Sequence, residues 1–236
     1  MREYLARSFI LNTYAMTLSE ISSAVFNDLF GGAMIPPSNR SLISLEQLED
    51  EAIEIRKSII KEFYHRNMLS FNDIAYSINC IEIDCKDMNM CPCKSLPGKI
   101  AQHFEIPRLL DGLGNNAILF IGSVDRSVSY KVYNSISTAN YQIYKKRSST
   151  KPYVYINRTP NENGMLDGWI MNAPFVKYIS ITAIFADPRD LEGFNCCQSE
   201  QYLEMGSLSH EIIRRMLVNK TQLYRTIVPP ASQLTS

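Results

Sequence analysis

The stretch NCIEIDC, residues 79–85, decides the fold. Ile81, Ile83 and Cys85 alternate with Glu82 and Asp84, the period-two signature of a strand with one face buried. Before this stretch the apolar residues recur at helical spacing, and after it most runs are β-branched or aromatic. The chain is therefore read as α+β: two N-terminal helices and a C-terminal helix form a helical part, with a β-rich insertion lobe between them.

Upstream, TLSEISSAVFNDLFGG opens on a capping box. Thr17 and Glu20 stand three residues apart, so the hydroxyl and the carboxylate can each satisfy an orphan amide. Leu18, Ile21, Val25 and Leu29 follow at helical spacing, and Gly31-Gly32 supplies a stop. A second box, Ser44 with Gln47, opens a helix expected to reach about Arg66. Its apolar stripe is Leu45, Leu48, Ala52, Ile55, Ile59 and Phe63. Ser70 and Asp73 have the spacing to open a short third helix or to form a polar turn.

Downstream, AILFIG, SVSYKVYN, YQIYKK, KPYVYIN, WIMNAP and KYISITAIF read as strands, separated by Gly, Pro, Asn and Ser. Helix returns at HEIIRRMLVNKTQLYR, where Ile212, Met216 and Leu223 share a face. The expected boundaries are residues 1–77 for the N-terminal helical part and 78–200 for the β-rich lobe. Residues 201–226 form a C-terminal helix packing on the helical part, and 227–236 an extended tail. Strands and helices do not alternate, which argues against a doubly wound nucleotide fold.

At 236 residues and 45% hydrophobic content the chain can bury a sizeable core without staples. Lys+Arg and Asp+Glu are equal at 24 each, which argues against a bulk polyanion binder. No apolar run reaches the roughly 20 residues that a membrane-spanning helix needs, and no signal-peptide pattern precedes the first helix. No membrane partner is expected, and an intracellular setting leaves the six cysteines as thiols or ligands rather than disulfides.

Four of those cysteines, Cys80, Cys85, Cys91 and Cys93, crowd around the segment CKDMNMCPCKSLP. Structural zinc usually shows two C-x₂₋₄-C knuckles, or one knuckle with a histidine pair. The spacings here are C-x4-C, C-x5-C and C-x-C, and His103 has no second histidine nearby. Packing thiols in a proline-shaped connector are preferred, with metal at those four cysteines as the alternative. Adjacent Cys196 and Cys197 bridge only with strain and read as small packing residues. DGLGNNA lacks both the third glycine of a dinucleotide fingerprint and the Lys-Ser/Thr of a phosphate loop. His65, His103 and His210 accompany no recognisable nucleophile motif, so no catalytic residue and no cofactor is assigned, and the protein is read as not an enzyme. A hydrolase whose site assembles only in space stands as the weakest alternative, with no residue to nominate.

The segment YQIYKKRSSTKPYVYINR interleaves Tyr141, Tyr144, Tyr153 and Tyr155 with Lys145, Lys146, Arg147, Lys151 and Arg158. Single-stranded nucleic acid could stack on such tyrosines. A long β-hairpin with cross-strand tyrosine pairs and a solvated KKRSSTK tip is the favoured reading. Three contact surfaces are expected: this tip (Lys145, Lys146, Arg147, Lys151), the terminal helix (Arg214, Arg215, Lys220) and the tail, residues 228–236.

Four stretches in order, EISSAVFNDLFGG, SLEQLEDEAIEIRKSIIKEF, INCIEIDCKDMNMCPC and ISITAIFADPRDL, resemble the neck ring proteins of crAss-like tailed bacteriophages. More distantly they are similar to podovirus head-to-tail adaptors. The Asp187-Pro188-Arg189 ending after a strand is the most specific block, and the blocks lie between about residues 18 and 197. The resemblance implies a non-enzymatic virion protein that connects portal to tail and forms part of the DNA channel. Its partners would be itself as a closed ring, usually of twelve copies, the portal protein, neighbouring neck or tail rings, and viral DNA in transit. Its place would be the virion neck, after assembly in the host cytoplasm. The alternative function is a cysteine-rich metal-binding β domain with single-stranded nucleic-acid binding.

Overall fold

The structure, a computed structural model, describes residues 16–31, 43–68, 74–84, 101–133, 152–173, 176–194 and 205–227. Among them are three α-helices and two sheets with seven strands, the α+β class expected from the sequence. The chain divides into two compact units: Met1–Ile74 with Tyr202–Ser236, and Ala75–Gln201.

In the first unit α1 (Leu18–Gly31) and α2 (Leu45–His65) both begin on the capping boxes read from the sequence. The Thr17 amide donates to Glu20 Oε2 at 2.8 Å, and the Glu20 amide donates back to Thr17 Oγ1 at 3.3 Å. Ser44 and Gln47 make the same reciprocal pair at 3.2 and 3.1 Å. α2 stops in a Schellman motif. Asn67 takes a left-handed φ of 54°, its amide donates to the Tyr64 carbonyl, and the Met68 amide reaches back to Phe63 at 2.9 Å.

α1 and α2 pack on each other, and α3 (Ser209–Ile227) packs on both. Ile21, Val25 and Leu29 of α1, Leu48, Ile55 and Ile59 of α2, and Ile212 and Met216 of α3 are buried between them. α2 is buried over a wider arc than one stripe, because Ile53, Arg56 and Ile60 are also covered. Leu45 departs from its expected place in the stripe: it opens the helix and is 48% exposed. Arg56 is 1% exposed, and its Nη2 donates to the Ile74 carbonyl at 3.2 Å, fixing the chain where this unit ends. The strand of chain before α1 and the strand before α3 also meet: the Met205 amide donates to the Met16 carbonyl at 2.8 Å, and the Met16 amide to Ser209 Oγ at 3.3 Å.

The second unit holds β1 (Tyr76–Glu82), β2 (Ala101–Ile106), β3 (Ile118–Gly122), β4 (Lys131–Tyr133), β5 (Tyr153–Pro160), β6 (Leu166–Met171) and β7 (Tyr178–Ala183). One sheet runs β1-β7-β3 and the other β2-β6-β5-β4. Isolated bridges join their ends. Asp84 pairs with His103 between β1 and β2, and Gly122 pairs with Ser129 between β3 and the approach to β4. Among the described strands backbone pairing therefore runs in a circuit, β1-β7-β3-β4-β5-β6-β2 and back to β1, in which each of them has a neighbour on both sides over part of its length. Ile78, Phe104, Ile121, Ile156, Ile170 and Ile181 are among its buried core.

Residues 79–82 of this stretch lie in β1, with an irregularity that the alternation conceals, and Cys85 lies outside the described residues. Cys80 has φ 61°, and the register against β7 shifts between Ile78 and Ile81. That extra residue lets Ile78 and Ile81, three apart, both be buried, so parity counted along the sequence fails from Cys80 onward.

The long tyrosine hairpin is corrected by the structure. Residues 153–155 pair with β6 on one side and, in parallel, with β4 on the other. Both edges are occupied, so no hairpin partner fits beside Tyr153 and Tyr155. Two parallel strands also need a crossover rather than a turn between them. The intervening residues 134–151, with Tyr141, Tyr144 and the basic tip, lie outside the described residues, as do residues 69–73 and the tail 228–236. The strand β2 was not read from the sequence. Gly112 (φ 92°) and Gly114 (φ 57°) make DGLGNNA a turn and a 3₁₀ helix ahead of β3.

Candidate functional site

The described chemistry converges at the corner where β1 meets β2. In the β2–β6 ladder His103 stands opposite Trp169 and Glu105 opposite Asp167. Residues two apart on a strand share a face, so His103, Glu105 and Asp167 lie on one side of the sheet. His103 is 2% exposed, and its Nε2 lies 2.8 Å from Asp167 Oδ1. Its ring is tilted on Trp169 with centroids 4.6 Å apart, which fixes its orientation. Asn161, whose Oδ1 accepts from the Asn163 and Met165 amides and so shapes the β5–β6 turn, also donates to Asp167 at 3.4 Å. On the opposite face Phe104 covers Gly168.

One ligand atom each from His103, Glu105 and Asp167 lies within 4.8 Å of the others, the geometry of a possible cation site. A cavity of about 340 Å³ adjoins it, lined by Cys80, Glu82, Asp84, His103, Glu105 and Phe194 among others. The sequence did not nominate this set. A signal existed in His103-x-Glu105, two ligand types at strand spacing, but Asp167 is distant in sequence and joins only through strand pairing. Of the four cysteines proposed as alternative ligands, Cys80 is described, and it is a half-buried free thiol lining this cavity. Cys85, Cys91 and Cys93 lie outside the described residues.

The expected contact residues separate. Lys145, Lys146, Arg147 and Lys151 lie outside the described residues. Arg215 and Lys220 of α3 turn onto α2, where Arg215 Nη2 meets Glu62 Oε2 at 2.7 Å and Lys220 pairs with Glu51. Arg214 pairs along its own helix with Glu211, through contacts of 2.7 and 2.6 Å, and keeps its side chain 67% exposed. Arg215 also meets Glu211 at 2.8 Å. Hydrogen bonding to Arg214, reinforced by Arg215, holds the Glu211 carboxyl down at about 2, and Arg215 lowers Glu62 in the same way.

Both carboxylates have folded values below the ordinary 4.5, so their contribution is complete above that pH and is lost as pH falls below it, for Glu211 down to about 2. Thermal melts followed by far-UV circular dichroism should lose midpoint steadily between about pH 4.5 and 2. Glu211→Gln should lower the midpoint at neutral pH and flatten the decline; parallel curves for the two proteins would refute the assignment.

The Asp187-Pro188-Arg189 block closes on itself. The Arg189 amide donates to Asp187 Oδ1 at 2.9 Å, and its guanidinium grips both oxygens of the same carboxylate at 2.8–3.2 Å. It fixes the turn from β7 into the 3₁₀ helix Pro188–Phe194.

The family model described as Phage tail ring protein 2 matches residues 36–221, from before α2 through the whole β unit and into α3. The chain belongs to this ring protein family of crAss-like phages. No curated protein matches it. Membership implies a structural, non-enzymatic tail or neck component of the virion that assembles as an oligomeric ring. Among the described residues no helix is long and apolar enough to cross a membrane.

Proposed function

We propose that the protein forms a closed ring in the phage neck, joins the portal to the tail, and encloses part of the DNA channel. The family match over most of the chain carries this reading. A ring of identical subunits uses heterologous interfaces, with one surface of each copy meeting a different surface of the next, and closes when the rotation per copy divides the circle. Twelve copies would match the portal.

The helical unit is assigned to the portal and the β unit to the ring wall. Neighbour contacts are assigned to Lys145, Lys146, Arg147 and Lys151 and to the outer side of α3. There Arg214 remains exposed, while Arg215 and Lys220 serve the helical unit itself. Neutral net charge is compatible with DNA sliding past without being held.

Mass spectrometry of purified particles should find the protein in fixed stoichiometry with the portal, and a particle reconstruction should place it in a ring beneath. A protein missing from purified virions would overturn the proposal. A monomer in isolation would not, because such rings form on their platform.

A further inference from the structure

We propose that the β unit binds one divalent cation through His103, Glu105 and Asp167, at the corner where β1 meets β2. Their ligand atoms already lie within 4.8 Å of one another on one face of the sheet. Donors around a single ion, at bonds of about 2.1 Å, stand roughly 3–4 Å apart. Nε2 of His103 and Oδ1 of Asp167, at 2.8 Å, are at that scale, and a small rotation of half-buried Glu105 completes the set.

Charge favours an incoming cation. Glu82, Asp84 and Glu105 line the adjoining cavity, Asp167 lies beside His103 and Glu105, and among the described residues that line the cavity there is no lysine or arginine. Several carboxylates converging on a concave, half-dry site raise a negative potential that a divalent ion neutralises. The imidazole is pre-set. His103 is clamped by Trp169 and aims Nε2 at the carboxylate. In the bound state the cation sits between Nε2 and Asp167, the ring ligates as a neutral imidazole with its one N–H on Nδ1, and any proton displaced from Nε2 passes to solvent. One imidazole and two carboxylates, with water completing the shell, suit manganese, iron(II) or zinc better than calcium. The ion would tie β2 to β6 beside the Asp84–His103 bridge that links the two sheets.

The test uses the intact chain, stripped with chelator and titrated with manganese(II). Manganese is poorly held by thiolates, so the cysteines do not interfere. Loss of the free-ion electron paramagnetic resonance signal should show one site per chain, and saturation should raise the melting midpoint. Glu105→Gln and Asp167→Asn keep shape and hydrogen-bonding capacity while removing charge. Each should weaken binding at least tenfold and abolish the midpoint rise, with unchanged far-UV circular dichroism. His103→Ala is a poor choice, because the buried ring supports Trp169. No saturable uptake below about 1 mM, or wild-type affinity in either folded variant, overturns the proposal.

Discussion

Gly168→Ala is expected to destabilise the β unit by about 3 kcal/mol, at the upper end of the range for overpacking a core. Gly168 sits in β6 between β2 and β5, paired with Phe104 on one side and Ile156 on the other. The Phe104 ring lies across it, and an added Cβ would come within 2.1, 2.3 and 2.6 Å of three ring carbons. The ring is 1% exposed, so it has no solvent to retreat into. Glycine in a strand interior ordinarily weakens it, and here its lack of a side chain is what admits the ring. Because the cost arises from one collision, it should be coupled. Phe104→Leu in the Gly168→Ala background should recover at least about 1 kcal/mol relative to the sum of the single changes. Urea denaturation of the four proteins checks this, and simple additivity would show that the clash is not the cause.

Arg56→Ala is the second large effect, expected to cost about 3 kcal/mol or more. The substitution removes a long side chain from a site with 1% exposure, leaving a cavity. It also strands the Ile74 carbonyl, which accepts from Nη2 at 3.2 Å. A buried acceptor that loses its donor costs about 1–3 kcal/mol on its own. Arg56→Met restores most of the volume without the donor and should recover the packing share alone. Comparing the two by denaturation separates cavity from hydrogen bond. An Arg56→Ala protein within about 0.5 kcal/mol of wild type would mean the guanidinium is dispensable.

The helices were legible because their signals are local. Both capping boxes and the stripes through Ile21, Val25, Leu48 and Ile59 follow from neighbours within a few turns. Arg56 was not legible: a charged residue in sequence looks like the helix's wet side until its burial and its bond to the Ile74 carbonyl are seen. Most strands could be named, but their partners could not. β2 was missed because AQHFEI places Gln102 and His103 in buried positions, where polarity hides the pattern. The tyrosine hairpin failed for a related reason. Proximity in sequence suggested pairing with the preceding segment, while β4 and β6 supply the actual neighbours of β5. The cation site combines both difficulties, since His103 and Glu105 lie on the missed strand and Asp167 reaches them only through the ladder. The ring family was recognisable from ordered blocks rather than from any single chemical motif.

The first unit is sewn from both sides of the β unit, with Met16 hydrogen-bonded to Met205 and Ser209. During synthesis, α1 and α2 leave the ribosome long before α3 exists. The faces that Ile212 and Met216 will cover stay open while the entire β unit is translated. The β unit can complete itself first, whereas the helical unit cannot close until the last helix is released. Until then the apolar faces of α1 and α2 that Ile212 and Met216 cover stand open to water, the kind of surface that exposes a nascent chain to aggregation.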